Sequence, residues 1–527
     1  MQAGARHAVR STLISYELAL SQAHYTGGFP RMGFGGPGNI PFGVDTKDPF
    51  VPKFQVLNGM NIYDLSQYSL GFGFTENNSI FERDVVGDIS LNKQYSVGSH
   101  SSSFEVGFKG WDAAKTQRYD REFYNGAGGQ PASDFLSNFR DDHYYFGNYT
   151  YGPVTDFKKV LAAVQAAGTS PATTYNLQNA FDIGERIWAG YAMNTISFGK
   201  LRLQAGVRIE ATHDSLLANK LNFDSEGNFV PPAIPQTSSN SYVNAFPSVQ
   251  AQYRFGSDTI LRGSYGMGIA RPNFGDIAPY FIDDPSSVPE FSKGNPNLKP
   301  THAQNFDVLL EHYLKPLGLI QGGFFYKALT DPIYAVTLNQ GTPNATATLV
   351  NGPSAHILGF EAAWQQRLSF LPGALNGMGV QANYSYTTSQ ASFPADFDRT
   401  DHPTLVRTAP NNSNFDVTYD KKGISARMGL THNDGYIWSY AGRNGKDPGG
   451  DTYLYPHTQV DAQVSYWIPR SHGLQAVVSM LNLNNEVFNN EVFGFYVGAE
   501  HFAIQREYYN RTISVGLRWT PFSKETQ

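Results

Sequence analysis

Long stretches of the chain alternate apolar and polar residues one by one. Around residue 265, Leu261, Tyr265 and Ile269 occupy positions of one parity, and Arg262 and Ser264 occupy positions of the other. The same period of two recurs in four further stretches, at residues 201–210, 245–255, 459–468 and 512–519. A period of two places successive side chains on opposite faces of a β-strand. The pattern predicts an all-β protein whose strands have one apolar face and one polar face.

The connections between these stretches alternate between short and long. The short ones are residues 198–200, 256–258, 315–318, 420–423 and 469–473, and the long ones are about 272–300, 388–410, 437–455 and 487–505. In a series of antiparallel strands, every second connection lies at the same end. Tight periplasmic turns and long extracellular loops are typical of outer-membrane barrels. We therefore predict an antiparallel transmembrane β-barrel of about sixteen strands, with residues 1–527 forming one barrel domain.

The first 180 residues are harder to divide. We predict strands at about 5–21, 79–93, 100–117 and 118–127, loops at 22–78 and 128–180, and a short helix at 157–168. The N-terminal segment is basic and then partly apolar, like a signal peptide. However, Glu17 interrupts it, and Ile14, Tyr16 and Leu18 keep a period of two, so we favour a strand over a cleaved leader.

Composition is compatible with this reading. Aromatic residues make up 14% of the 527 residues, there is no cysteine, and no run of eighteen apolar residues could form a membrane helix. The net charge of −6 is too small to indicate a nucleic-acid partner. A soluble propeller, β-sandwich or β-helix is the alternative, but a propeller would show a repeat of about 40–50 residues, and none is visible.

An ordered set of motifs links the middle of the chain to a known family. The motifs are Ala270-Arg271-Pro272, then Gly294-Asn295-Pro296-Asn297-Leu298-Lys299-Pro300, then Asn305 and Asp307, then Phe325-Tyr326-Lys327. In order and spacing they resemble the TonB-dependent receptors of Gram-negative outer membranes. The resemblance implies active uptake, energised through TonB, of a large scarce solute such as a siderophore or a carbohydrate, without a cofactor.

The resemblance also implies parts that this sequence does not show. Family barrels have twenty-two strands around a plug, and no plug or export signal is found ahead of Ala8. We therefore expect the C-terminal barrel portion of such a receptor. The implied partners are outer-membrane lipid, a plug domain, the TonB complex, the barrel-assembly machinery and a small or oligomeric solute, with no nucleic acid.

The loop motif at residues 294–300 has a structural interpretation. Proline cannot donate a ladder hydrogen bond and belongs where strands end, whereas Gly and Asn tolerate positive φ. We expect six residues to shape the loop before the next strand, namely Gly294, Asn295, Pro296, Leu298, Lys299 and Pro300. In the family, a terminal aromatic is read by the assembly machinery. Trp519 and Phe522 are the candidates here, although five residues follow Phe522.

Solute contacts are predicted mainly in one aromatic stretch. Aromatic faces flanked by polar groups suit sugar recognition, and residues 433–447 contain Tyr436, Trp438, Tyr440, Arg443 and Asp447. The other interpretation of this stretch, an aromatic girdle at the membrane interface, is the one that we favour. Arg271 and Asp276 are weaker candidates for solute contact.

Enzyme motifs are not found, so we predict a protein that is not an enzyme. The stretch GSYGMG at 263–268 lacks the following helix that a phosphate loop needs, and the histidines show no metal-ligand spacing. The acid pairs Asp141-Asp142 and Asp283-Asp284 lie in loop-like segments. A passive porin-like channel and a surface adhesin or phage receptor remain alternative functions.

Overall fold

The computed structural model describes residues 1–45, 47, 51, 53–126, 128–339, 342–394, 399, 401–440, 451–486, 495–497, 502–505 and 510–521. Most of these residues lie in β-strands. The first strands are β1 (Gln2–Val9), β2 (Thr12–Gly27), β3 (Arg31–Gly35), β4 (Phe42–Asp45), β5 (Lys53–Val56), β6 (Ser69–Val97), β7 (His100–Tyr124), β8 (Asp141–His143), β9 (Tyr149–Tyr151), β10 (Thr169–Pro171), β11 (Phe181–Phe198), β12 (Leu201–Phe223), β13 (Phe229–Arg254), β14 (Thr259–Ala270), β15 (Phe281–Asp283) and β16 (Phe291–Lys293).

The second half of the chain continues in the same way. Its strands are β17 (Thr301–Leu314), β18 (Gly318–Thr330), β19 (Ile333–Leu338), β20 (Thr346–Asn351), β21 (Ser354–Arg367), β22 (Met378–Ser392), β23 (Asn411–Lys421), β24 (Ile424–Asn433), β25 (Tyr436–Ser439), β26 (Thr452–Leu454), β27 (His457–Trp467), β28 (Leu474–Leu481), β29 (Phe495–Val497), β30 (Phe502–Gln505) and β31 (Thr512–Trp519). The helices are short, namely α1 (Tyr144–Gly147), α2 (Phe157–Gln165), α3 (Thr173–Gln178) and α4 (Phe274–Ile277), with 3-10 turns at Leu65–Gln67, Ala132–Phe135 and Gly373–Gly377.

Seventeen of the strands form one continuous antiparallel sheet, which we call the wall. In order across the sheet they are β1, β2, β6, β7, β11, β12, β13, β14, β17, β18, β21, β22, β23, β24, β27, β28 and β31. Each wall strand pairs with the wall strands before and after it in the chain. This order confirms the predicted series of antiparallel strands, and the number agrees with the predicted count of about sixteen.

The register of the wall keeps apolar and polar residues on separate faces. On the apolar face, one row crosses five strands through Gly263, Val308, Phe324, Phe360 and Tyr386. Val308 is 53% exposed and Phe324 is 70% exposed. Large apolar side chains are left open in this way where a barrel meets lipid. The alternation seen in the sequence therefore corresponds to an exposed apolar face and a polar face.

The two ends of the wall differ as the spacing predicts. At the turn end, strands are joined by short segments, for example residues 199–200 between β11 and β12, and 315–317 between β17 and β18. At the loop end, β14 and β17 are separated by residues 271–300, and β24 and β27 by residues 434–456. Short and long connections alternate along most of the wall; the exceptions are residues 224–228, a short connection at the loop end, and residues 368–377, a longer one at the turn end.

The predicted strand boundaries near the N-terminus were partly wrong. The stretch 5–21 is two strands, because the chain turns at Arg10 with a φ of 54°. Arg rarely adopts this conformation, so the turn has no Gly, Pro or Asn signal in the sequence. Residues 100–124 form one strand instead of two, since β7 pairs continuously with β6. The predicted loop at 22–78 contains the end of β2 and the start of β6.

The predicted helix at 157–168 is confirmed as α2. The side chain of Asp156 caps it by accepting hydrogen bonds from the N–H groups of Lys158 and Lys159. Val160 and Val164, one turn apart, are buried against Leu70 and Phe135. This cluster fixes the loop between β7 and β11 onto the ends of β6 and β7.

Candidate functional site

The long loop 271–300 folds back onto the polar face of β11 and β12. Leu298, at 0% exposed, and Ile277 pack with Ile183 and Leu216 in one buried cluster. Within this loop, β15 pairs in parallel with the end of β12, and β16 pairs with β20 of the next loop. The loop is therefore an integral part of the polar face at the loop end of the wall.

Three of the six residues of the loop motif, Gly294, Leu298 and Pro300, are buried in this fold. A Cβ on Gly294 would lie 2.0 Å from the carbonyl oxygen of Ala278, a distance that no side chain can accept. The side-chain amide of Asn295 donates to the Leu349 carbonyl at 2.8 Å, and the Lys299 N–H donates to Asn351 Oδ1 at 2.9 Å. Pro296 lies in the turn before Leu298, and Pro300 directly precedes β17. These contacts shape the loop and join it to residues 349–351.

Arg271 connects the start of this loop to carboxylates of the wall. Its Nη2 lies 2.6 Å from Glu210 Oε2 and donates to Thr212 Oγ1 at 3.2 Å, while its Nε lies 3.6 Å from Glu185 Oε2. Asp214, at 3% exposed, pairs in register with Glu185, and its Oδ1 has no hydrogen-bond partner among the described residues. The polar face thus carries a surplus of carboxylate beneath the docked loop.

Asp276 also acts within the loop. Its Oδ2 accepts a hydrogen bond from Asn273 Nδ2 at 3.0 Å, and its carbonyl accepts the Asn295 N–H at 2.8 Å. Both contacts close the short helix α4 against the Gly294-Asn295 segment. The carboxylate is therefore engaged in shaping the loop in the structure described.

A second cluster, the loop hub, ties two other long loops together. It consists of Arg399, Asp401, Asp451, Phe393 and Tyr440. The guanidinium, only 1% exposed, donates to both oxygens of Asp451 at 2.8 and 2.7 Å, and its Nε donates to Asp401 Oδ1 at 2.5 Å. The rings of Phe393 and Tyr440 lie with their centroids 5.2 Å from its carbon. Ion pairing and cation–π contact together compensate for the burial of the charge.

The surroundings of the loop hub shift its titrating groups. The hydrogen bonds from Arg399 hold the pKa of Asp401 below its usual value. Burial raises the pKa of Tyr440, so its hydroxyl stays protonated and donates to the Thr404 carbonyl at 2.9 Å. Burial likewise raises the pKa of Tyr334, whose ring packs 5.1 Å from Phe393, to about 12.

The aromatic stretch predicted to contact solute lies partly in this region. Tyr436 and Trp438 belong to β25, in a four-stranded sheet separate from the wall. The Trp438 ring lies under Arg407, 4.4 Å from centroid to guanidinium carbon. β25 is outside the wall, and both interpretations of this stretch, solute contact and aromatic girdle, stay predictions. Arg443 and Asp447 lie outside the described residues.

The last wall strand presents one apolar edge row. Ile513, Val515, Leu517 and Trp519 are 65–79% exposed on the apolar face of β31. The indole N–H of Trp519 donates to the His472 carbonyl at 3.1 Å. Phe522 lies outside the described residues, so the predicted terminal aromatic is described only at Trp519.

Known proteins share this architecture of a wall with short turns at one end and long loops at the other. The profile of the family described as "TonB dependent receptor-like, beta-barrel" matches residues 12–489. The chain belongs to this family. Its barrels sit in the outer membrane and form a family of transporters that are not enzymes. Comparison with curated proteins by sequence gives no match.

Several solved structures share the fold at low sequence identity. The closed form of the ferric-catecholate import receptor Fiu from E. coli K12 superposes with a TM-score of 0.62 at 12% identity, covering 97% of this chain and 62% of that one. P. aeruginosa FpvA bound to heterologous pyoverdines superposes with a TM-score of 0.58 at 13% identity, covering 98% of this chain and 55% of that one. The ferric yersiniabactin uptake receptor FyuA from Yersinia pestis superposes with a TM-score of 0.54 at 10% identity, covering 98% of this chain and 60% of that one. The chain therefore spans about three fifths of the length of these receptors.

None of the helices in the described ranges is long and apolar enough to cross a membrane. The same ranges contain no group of three or more His, Cys, Asp or Glu side chains arranged to hold a metal ion.

Sequence reasoning singled out Arg271 of this TonB-dependent receptor barrel as a weaker candidate for solute contact, which stays a prediction, and missed its ion-pair partners. Glu185 and Glu210 are 86 and 61 positions away in the chain, and only the register of β11 and β12 brings them together. The loop hub was also missed, since Arg399 and Asp451 lie in different loops. Their one sequence signal is a charged residue among aromatics, which many surface loops share.

Proposed function

We propose that this chain supplies the barrel of a TonB-dependent receptor that imports a large scarce solute across the outer membrane, energised through TonB. The observation that carries the proposal is the wall itself, with an exposed apolar face for lipid, a polar face for a wet lumen and buried clusters of described loop residues at one end. Membership of the family supplies the link to transport.

The arrangement of the loop end supports capture before transport. Loop 271–300 packs on the polar face through Leu298 and is held by Arg271, while the loop hub connects two further loops. Loops that are already packed bind a solute at a lower cost in conformational entropy. A plug domain, the TonB complex, lipid and the barrel-assembly machinery are the partners that this function requires.

Uptake assays test the proposal directly. A strain expressing the gene that encodes this chain should accumulate its solute only when TonB and the proton gradient are both intact. A panel of radiolabelled ferric siderophores and oligosaccharides gives the candidate solutes. Uptake that persists without TonB would instead indicate a passive channel. Phage or partner binding without any uptake would indicate a surface receptor.

A further inference from the structure

A recess of about 410 Å³ lies on the apolar face of the wall, where β6, β7 and β11 are neighbours. Its floor contains two glycines, Gly87 and Gly110, which face each other across β6 and β7. Leu18, 61% exposed, and Trp188, 56% exposed, flank this pair in the same row of the register. Because both flanking side chains are among the exposed apolar residues, the recess opens on the lipid side of the wall.

The two glycines differ in what covers them. A Cβ on Gly110 would lie 2.4 Å from Trp188 Cζ3, so the indole lies flat over that glycine. A Cβ on Gly87 would meet Leu18 Cδ1 at 3.7 Å, which is an ordinary contact. The Phe108 ring stacks on the Trp188 ring with the centroids 5.8 Å apart. The recess is therefore a groove over Gly87, and its apolar sides suit a hydrocarbon chain.

Two arginines stand at the loop end of this groove. In the next row of the register, Asp112 lies between Val85 and Arg186, and Arg83 lies one row further out on β6. Asp112 Oδ2 accepts a hydrogen bond from Arg186 Nε at 2.8 Å, and its Oδ1 accepts one from Arg83 Nη2 at 3.3 Å. Two positive charges thus share one carboxylate.

Most donors of these two guanidinium groups are open. Arg186 bonds to the described residues through Nε alone, which leaves both of its terminal nitrogens. Arg83 bonds to the same set of residues through Nη2 alone, which leaves its Nε and Nη1. The side chains of Arg186 and Arg83 are 66% and 44% exposed. Paired guanidinium groups with open N–H donors and a surplus of positive charge match the oxygens of a phosphate group.

The two arginines lie where the apolar part of the wall ends. On β6, the side chains of the same parity between Lys93 and Arg83 carry no charge, and they are Leu91, Ile89, Gly87 and Val85. Arg83 and Arg186 therefore lie just beyond the apolar rows, on the side of the long loops. Lipid head groups lie at this level of a membrane.

We propose that the groove and the two arginines bind a membrane lipid whose head group carries a phosphomonoester, with one acyl chain over Gly87 and the phosphate between Arg83 and Arg186. A phosphomonoester carries about 1.5–2 negative charges at neutral pH and has three acceptor oxygens, so it can bond to both guanidinium groups. A phosphodiester has less charge and fewer free oxygens. Inorganic phosphate lacks the chain that the groove accommodates. The site lies outside the lumen and goes beyond the proposed transport function.

The test titrates lipids into the purified, delipidated protein in detergent and counts bound lipid by native mass spectrometry. Diphosphoryl lipid A and phosphatidic acid carry phosphomonoesters, phosphatidylglycerol and phosphatidylcholine carry phosphodiesters, and inorganic phosphate is the probe without a chain. We expect at least one phosphomonoester lipid to bind about tenfold more tightly than either phosphodiester lipid. R186Q should weaken that binding about tenfold through the loss of charge-assisted hydrogen bonds. G87L should weaken it as well, because the new side chain occupies the groove.

R118Q and G263L are the matched controls. Arg118 lies six residues beyond Asp112 on β7, about 20 Å further along the strand, and its terminal nitrogens bond to Asp182 and to two backbone carbonyls. Gly263 lies on the apolar face of β14, where a Cβ would be 3.9 Å from the Asp307 carbonyl oxygen. Both variants should bind lipid as the unaltered protein does. Folding of each variant is verified by its heat-dependent gel mobility.

Several results would overturn the proposal. They are equal binding of all four lipids, tightest binding of a phosphodiester lipid, binding of inorganic phosphate alone, or lipid binding by folded R186Q and G87L that equals that of the unaltered protein. If R118Q weakened binding as much as R186Q, the attraction would belong to the general charge of the surface and the site would be wrong. If lipid binding follows the expected pattern but no uptake depends on TonB, the lipid site stands and the transport function is wrong.

Discussion

Replacing Leu298 with alanine should release loop 271–300 from the wall while leaving the wall intact. Leu298 is 0% exposed and packs with Ile277, Ile183 and Leu216. Truncating such a leucine costs about 2–5 kcal/mol through lost burial and the cavity left behind. Because the contact joins a loop to the wall, the loss acts on docking of the loop and leaves the pairing of the wall strands unaffected.

Hydrogen exchange measures this effect at individual amides. β15 joins the loop to the wall, because Phe281, Ile282 and Asp283 pair in parallel with the end of β12. This ladder must open when the loop leaves the wall. A loss of about 2–5 kcal/mol corresponds to exchange that is about 30-fold to several thousand-fold faster at the amides of this ladder. Exchange within β14 should not change.

Leu310→Ala provides the control with the same change of side chain. Leu310 is 47% exposed on the apolar face of β17 and touches no part of the docked loop cluster. It should leave the loop amides protected. If Leu298→Ala left exchange in the ladder of β15 and β12 unchanged, or accelerated β14 equally, the idea of a separately docked loop would be refuted.

Three further predictions concern the loop hub and the two faces of the wall. Arg399→Met leaves Asp451 buried without this partner, so the free energy that stabilises the joined loops should fall by about 3–5 kcal/mol, and the loops should become cleavable by trypsin. The exposed pair of Arg140 serves as the control, since Arg140→Met should lower the stability by less than about 1 kcal/mol. The pKa of Asp401 is lowered in the fold, so its stabilising contribution is present above about pH 4 and is lost as the pH falls through the depressed value; protease resistance of the loops should fall there, and Asp401→Asn should abolish that step. Val308→Arg on the apolar face should lower the free energy of unfolding in lipid vesicles by about 2–4 kcal/mol, whereas Asn305→Arg on the polar face should change it little; equal effects at the two positions would contradict the assignment of faces.

The wall was predictable because its signal is local. Alternation at Leu261, Tyr265 and Ile269 reflects the period of the strand itself, and β14 follows it from Thr259 to Ala270. The rhythm of short and long connections is also written in consecutive residues. The exception is Arg10, where an arginine takes a turn conformation that no local rule assigns to it.

The site could not be predicted in the same way, because its contacts depend on register between distant strands. The carboxylates around Arg271 come from β11 and β12, each fixed by a long ladder. A single sequence carries no measure of these relative positions.

The bond between Arg399 and Asp451 has a consequence for how the loops at this end of the barrel can change in evolution. The two residues are 52 positions apart, on segments that follow different wall strands. Recombination that exchanges one segment alone would leave one charged side chain buried without its ion-pair partner, which would lower the stability of the chimera. New cargo preferences should therefore arise by inheriting both segments together, and transplantation experiments should treat them as one module.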